Sequence, residues 1–130
     1  MGQAGTKSRP LSPHLQIWRW GPGMLSSILH RVSGIGGVVG LAVLLWWLGA
    51  LVSGPAAYAS FAGHAASWYG KVVLVGVSWA VIAHAVTGIR HFVLDIGAGY
   101  ELSQNNLWAI VSTALGVILT AAFWAALLLR

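Results

Sequence analysis

Three long apolar runs with very few charged residues occupy most of this chain, and they constrain its fold more than any other feature. Each run has about 20 residues or more, the length that an α-helix needs to cross the hydrocarbon core of a bilayer. Only 7% of the 130 residues are charged, against about 25% in an ordinary soluble domain. A water-soluble fold could not cover its surface with so few charges. The sequence therefore predicts an all-α integral membrane protein with three transmembrane helices.

The apolar runs place the predicted spans at about residues 24–52, 67–95 and 105–129. Residues 1–23 are polar and interrupted by proline and glycine, so we expect an N-terminal arm followed by an anchor domain over residues 24–130. The segment 53–70 is predicted to be mainly a loop, and the segment 97–106 a polar turn. The third span has no ionisable side chain, which assigns it to packing.

Lysine and arginine residues predict the orientation, because cytoplasmic segments of membrane proteins carry an excess of positive charge. A cytoplasmic N-terminus leaves only Lys71 and Arg130 outside. We therefore expect a multi-pass protein of a bacterial cytoplasmic membrane, with the mitochondrial inner membrane less favoured. The net charge of +5 is explained by this topology, so no nucleic-acid partner is expected. The basic residues placed inside are Lys7, Arg9, Arg19, Arg31 and Arg90.

A histidine lies in the middle of the second predicted span. His84 is about 16 Å from Asp95 at the helical rise, and Gly88 and His91 share its helix face. Ionisable side chains at this depth are costly and usually functional. The chain has no cysteine, so a haem iron would need histidine or another non-thiolate ligand. From the residues alone, a haem ligand and a plain hydrogen bond to a neighbouring helix both stay open.

An antiparallel arrangement of the first two spans brings Ser27, His30 and Arg31 towards the inner half of the second span. A flat porphyrin could then stand between the helices, with its propionates directed to His30 and Arg31. Arg31 could instead be an interface anchor whose head group reaches water. Small residues in the first half of the first span, such as Ser33 and Gly34, would allow close approach of another helix or of a flat cofactor.

Three blocks of the sequence together carry a family resemblance. They are RPLSPHL at 9–15, SILHRVSG at 27–34 and HAVTGIRHFVLD at 84–95. In this order and at these separations they resemble the cytochrome b anchor subunit of succinate dehydrogenase. The resemblance covers nearly the whole chain, although the third span matches only in hydrophobicity.

The resemblance implies a four-subunit complex that passes electrons from succinate to ubiquinone in the respiratory chain and the tricarboxylic acid cycle. This chain would be half of a heterodimeric helical bundle that holds haem b with a second small anchor. His84 would be one axial ligand, with His30 and Arg31 near the propionates. FAD and iron–sulfur clusters would belong to a flavoprotein and an iron–sulfur partner. We expect no catalytic residue here, and no succinate oxidation by the isolated chain.

The resemblance also implies that Ser27 and Arg31 serve the quinone, with Ile28 as an apolar wall. A quinone needs an apolar slot and one or two aimed donors. A hydroxyl and a guanidinium four residues apart share one helix face and can supply them. Three alternatives stay open: the anchor of a related fumarate reductase, a haem-free structural anchor, and a structural or transporter-like membrane protein without redox function.

Overall fold

The fold is all-α. A computed structural model describes residues 12–129, in which we number the helices α1 to α5 and find no strand. Three of them, α2, α4 and α5, are long and apolar enough to cross a membrane, which confirms the predicted fold class. The N-terminal half of the predicted arm, with Lys7 and Arg9, lies outside the described residues, as does Arg130. The bounds are α1 His14–Ile17, α2 Pro22–Ser53, α3 Pro55–Ala66, α4 Trp68–Asp95 and α5 Leu102–Leu128.

Proline, glycine and serine set the helix boundaries between α2 and α4. Pro55 occupies the first turn of α3, where its missing N–H would have no partner within the helix. Gly54 separates α2 from α3 with a φ of 104°, a left-handed conformation that favours glycine. Ser67 caps α4, because its hydroxyl accepts a hydrogen bond from the backbone N–H of Gly70. The chain therefore turns from α2 through α3 into α4 with almost no irregular backbone.

The prediction of a loop over residues 53–70 is wrong, because most of this segment is α3. Its sequence is PAAYASFAGHAA, and alanine is the best helix-forming residue. The helix is held by aromatic contacts, with the Phe61 ring 4.9 Å from that of Trp46 on α2. His64 Nδ1 lies 2.7 Å from the Tyr69 hydroxyl, so this histidine has a local partner at the α3 end of the bundle.

Small side chains fill the interior of the bundle, and large apolar ones cover its outside. Ala80 and Ala109 are among the most buried residues, whereas Ile35, Val38 and Leu45 are more than half exposed. Helices that pack against one another within lipid are expected to have this distribution, with small side chains at their interfaces. The exposed apolar surface needs lipid or another membrane chain to cover it.

Glycines on α2 permit the close approach of α4 that the small-residue spacing predicted. A Cβ added at Gly36 would lie 2.7 Å from Ala80 Cβ, and one at Gly40 would lie 2.6 Å from a methyl of Val77. On the other side of α4, a Cβ at Gly116 would lie 3.1 Å from Ala83 Cβ. Helix α4 therefore packs at van der Waals distance against α2 on one side and α5 on the other. These contacts fix its rotation and its axial position within the bundle.

Candidate functional site

The candidate site lies where α2 faces α4, around His84. The ring rests against the backbone of α2, since a Cβ added at Gly34 would lie 3.2 Å from His84 Cε1. His84 Nδ1 is 3.1 Å from the carbonyl oxygen of His30 and 3.2 Å from Ser33 Oγ. The histidine at mid-span is therefore anchored to the neighbouring helix through one ring nitrogen.

The hydrogen bonds around His84 define its tautomer. A carbonyl oxygen only accepts, so Nδ1 must carry the proton that is shared with it. Ser33 Oγ donates its own hydrogen to the same carbonyl at 2.8 Å, which leaves the hydroxyl free to accept from Nδ1–H. In the neutral ring, Nε2 then bears a lone pair, and this nitrogen has no hydrogen-bond partner among residues 12–129. A neutral imidazole with one nitrogen fixed and the other open is the form that binds a metal.

His30 adjoins His84, and His91 adjoins His30. The ring of His30 stacks on that of His84 with a centroid distance of 3.9 Å and an interplanar angle of 11°. The His91 ring lies 4.8 Å from that of His30. His30 Nδ1 is buried and has no partner within the described part of the chain, which is unusual because buried polar atoms are normally paired. A polar group contributed from outside this chain would satisfy it.

Gly88, on the same face of α4 as His84, faces His30 on α2. The missing Cβ of Gly88 points towards His30, with 4.0 Å to Cε1. The glycine that gives His84 its room is Gly34, on the opposite helix. Sequence reasoning treated Gly34 and Ser33 only as small packing residues. The spacing of His30 and Ser33, three residues apart on one helix face, was the available signal for a shared contact.

The residues predicted for the quinone lie on the surface of the first turns of α2. Ser27 is half-buried, and Ile28 and Arg31 are exposed. Many hydroxyls in the bundle bond to the backbone of their own helix, among them Ser33, Ser78 and Thr120. Ser27 makes no such bond to a described residue, so its hydroxyl remains available to an external acceptor or donor. The structure does not bring these three residues into contact with His84 itself.

Arg90 faces α5 and not the histidine cluster. Its Nη2 donates to the side-chain oxygen of Asn105, and its Nε is buried without a partner among the described residues. The guanidinium lies beside an apolar cavity of about 420 Å³ between α4 and α5, which Trp108 and Ser112 also line. The contact with Asn105 holds Arg90 within the bundle, against α5.

No cluster of three or more potential metal ligands occurs in residues 12–129. A haem iron requires only an axial ligand on each face and not such a cluster. The donor set of the site fits that role, because His84 offers one open nitrogen and its other nitrogen is fixed by a carbonyl. The cations that could accompany an anionic group are His30 when protonated, whose ring stacks on that of His84, and Arg31, the next residue of α2.

Known proteins resemble this chain over most of its length. Residues 5–123 match the family model described as succinate dehydrogenase/fumarate reductase transmembrane subunit. The succinate dehydrogenase cytochrome b556 subunit of Paracoccus denitrificans is 38% identical over 106 residues, 82% of each chain. That of Rickettsia felis is 36% identical over 118 residues, 89% of this chain and 90% of the relative. The mitochondrial cytochrome b560 subunit of Mus musculus is 35% identical over 123 residues, 87% of this chain and 68% of the relative.

Proposed function

This chain belongs to the succinate dehydrogenase/fumarate reductase transmembrane subunit family and is a membrane-anchor cytochrome b subunit, and we propose that it holds haem b through His84 and helps to form the site of ubiquinone reduction. The observation that carries the proposal is the open Nε2 of His84, with Nδ1 bonded to His30 O and Ser33 Oγ. A bound haem would supply a one-electron store close to the quinone.

The chain supplies one axial ligand, and a second small anchor supplies the other. His30 and Arg31 receive the propionates, since the His30 ring stacks on that of His84 and Arg31 is the next residue of α2. The buried and unpartnered Nδ1 of His30 supports this role, because a propionate oxygen would satisfy it. The large exposed apolar surface of α2 and α4 provides the face on which the second anchor completes the heterodimeric bundle.

The quinone is held by Ser27, Ile28 and Arg31. The Ser27 hydroxyl is free of its own helix backbone, so it can donate to a quinone carbonyl oxygen. Arg31 adds a charge-assisted donor that favours negative charge developing on the quinone oxygen. Ile28, 41% exposed, offers an apolar wall of the kind that such ligands require.

Electrons reach this site from partner subunits. A flavoprotein with FAD oxidises succinate, and an iron–sulfur protein carries the electrons to the membrane. The anchor has no residue for succinate chemistry, so the isolated chain does not oxidise succinate. The N-terminus lies on the cytoplasmic side of a bacterial inner membrane, which places the first turns of α2 beside those soluble partners. Ordinary phospholipid covers the remaining apolar surface.

The decisive experiment is the reduced-minus-oxidised absorption spectrum of the purified complex. His84→Leu should abolish or strongly perturb the b-type spectrum while the four subunits still assemble. His64→Leu is the matched control, because that histidine bonds Tyr69 at the α3 end of the bundle and should leave the spectrum unchanged. An unaltered low-spin spectrum in the His84 variant would exclude His84 as the ligand and indicate that the haem is held by other residues.

A further inference from the structure

The hydroxyl of Ser33 makes polar contacts that a residue serving only to fill space would not need. It is 1% exposed, and its hydroxyl lies 3.2 Å from His84 Nδ1 and 2.8 Å from His30 O. The same carbonyl is 3.1 Å from Nδ1. Three polar atoms from two helices thus form a closed triangle inside the bundle.

Only one arrangement of hydrogens satisfies this triangle. An unprotonated Nδ1 would place its lone pair against the carbonyl oxygen, which has no hydrogen to share. With Nδ1 protonated, its hydrogen is shared between His30 O and Ser33 Oγ, while the Ser33 hydrogen goes to the carbonyl. Every atom of the triangle then has a partner, and in the neutral imidazole the lone pair lies on Nε2.

The packing around the ring supports the same orientation. Gly34 leaves the space that the Cε1 edge of His84 occupies, and the stacked ring of His30 limits movement on one face. Hydrogen bonds of this type set the ring orientation and the basicity of metal-binding histidines in proteins generally.

We propose that Ser33, together with the backbone carbonyl of His30, is a positioning residue that holds His84 in its Nδ1–H tautomer and presents Nε2 to the haem iron. This inference rests on the proposed ligation by His84. Loss of the Ser33 hydroxyl removes one of two acceptors for Nδ1–H, so it weakens the orientation of the ring without removing the ligand. The imidazole also becomes a weaker electron donor, which raises the haem midpoint potential.

The test compares two buried serines of α2 in the complete four-subunit complex. Ser33→Ala should retain haem but release it to apomyoglobin on the order of ten times faster, with a raised midpoint potential and altered low-spin electron paramagnetic resonance g values. Ser26→Ala is the matched control, since Ser26 is also 1% exposed but its hydroxyl has no partner in the described chain. It should match the parent in all three measurements.

A conservative variant strengthens the comparison. Ser33→Cys keeps a weak acceptor in a side chain of nearly the same shape, so its haem release should fall between those of the parent and Ser33→Ala. Parental values in Ser33→Ala, or equal changes in the Ser26 and Ser33 variants, would overturn the positioning role. Retention of the parental spectrum by His84→Leu would instead overturn the ligation on which the inference rests, so the two failures are distinguishable.

Discussion

A close approach of α2 to α4 gives a sharp prediction about adjacent glycines. Gly36→Ala would add a Cβ 2.7 Å from Ala80 Cβ, whereas Gly37→Ala would meet nothing within 4 Å. The two substitutions are chemically identical and one residue apart in the same helix. They differ only in which way the new methyl points, so their difference measures the contact between the two helices.

The magnitude follows from the spacing. Non-bonded carbon atoms pack best at about 3.5–4.0 Å, so Gly36→Ala forces the helices apart locally by about 1 Å. An alanine methyl has no alternative rotamer that would relieve the contact. Overpacking of this kind costs about 1–3 kcal/mol, while glycine to alanine in a helix gains about 0.5–1 kcal/mol. We expect Gly37→Ala to be neutral or stabilising. The unfolding free energy of the Gly36→Ala variant should be lower than that of the Gly37→Ala variant by about 1–3 kcal/mol.

Unfolding of the chain in mixed micelles by increasing sodium dodecyl sulfate measures this difference. The eight tryptophans provide a fluorescence signal for the loss of helix packing. Gly49→Ala is a second control, because a Cβ there also meets nothing within 4 Å. Equal unfolding free energies for the Gly36 and Gly37 variants would refute the close packing at Ala80 and the rotation of α4 deduced from it.

Three other predictions concern the end of the bundle at which α2 begins. Ser27→Ala should slow ubiquinone reduction by the assembled complex and Arg31→Leu should slow it more, while succinate oxidation by a soluble acceptor is unchanged. Ser53→Ala, at the far end of α2, is the control. Parental quinone kinetics in the Ser27 or the Arg31 variant would exclude that residue from the quinone site. Asn105→Leu should destabilise the chain by about 1–3 kcal/mol in the same micelle assay, because it leaves the half-buried guanidinium of Arg90 without its acceptor. An unchanged unfolding free energy would show that this contact does not contribute to stability. In sealed, oriented vesicles, protease should reach the N-terminal arm only from the cytoplasmic side, and cleavage only from the opposite side would reverse the predicted topology.

The three spans were predictable because hydrophobicity and length decide membrane insertion almost independently of tertiary structure. Helix α3 was missed for a related reason. Its alanines and glycine are too weakly apolar to predict a span, and Gly54 with Pro55 normally indicates a turn. Here they separate two consecutive helices, with Pro55 in the first turn of the second.

The site was only partly predictable. The face of α4 that carries His84 could be calculated from helical spacing, and the contacts of His84 with α2 are consistent with it. The contacts of His84 with Ser33 and Gly34 depend on how α2 is rotated against α4, which no pattern within one helix determines. The stacking of His30 on His84 and the contact of Arg90 with Asn105 depend on the same tertiary geometry.

The length of α2 has a mechanical consequence. Its 32 residues extend about 48 Å at 1.5 Å per residue, which exceeds the roughly 30 Å hydrocarbon thickness by about three turns. At its C-terminal end the helix passes through a single glycine into α3, so the surplus is taken up by tilt or by projection at the Pro22 end. A partner that binds the projecting Pro22 end of α2 contacts the same continuous helix that carries His30 and Ser33. A displacement at the membrane surface would therefore reach the histidine cluster without passing through a flexible joint.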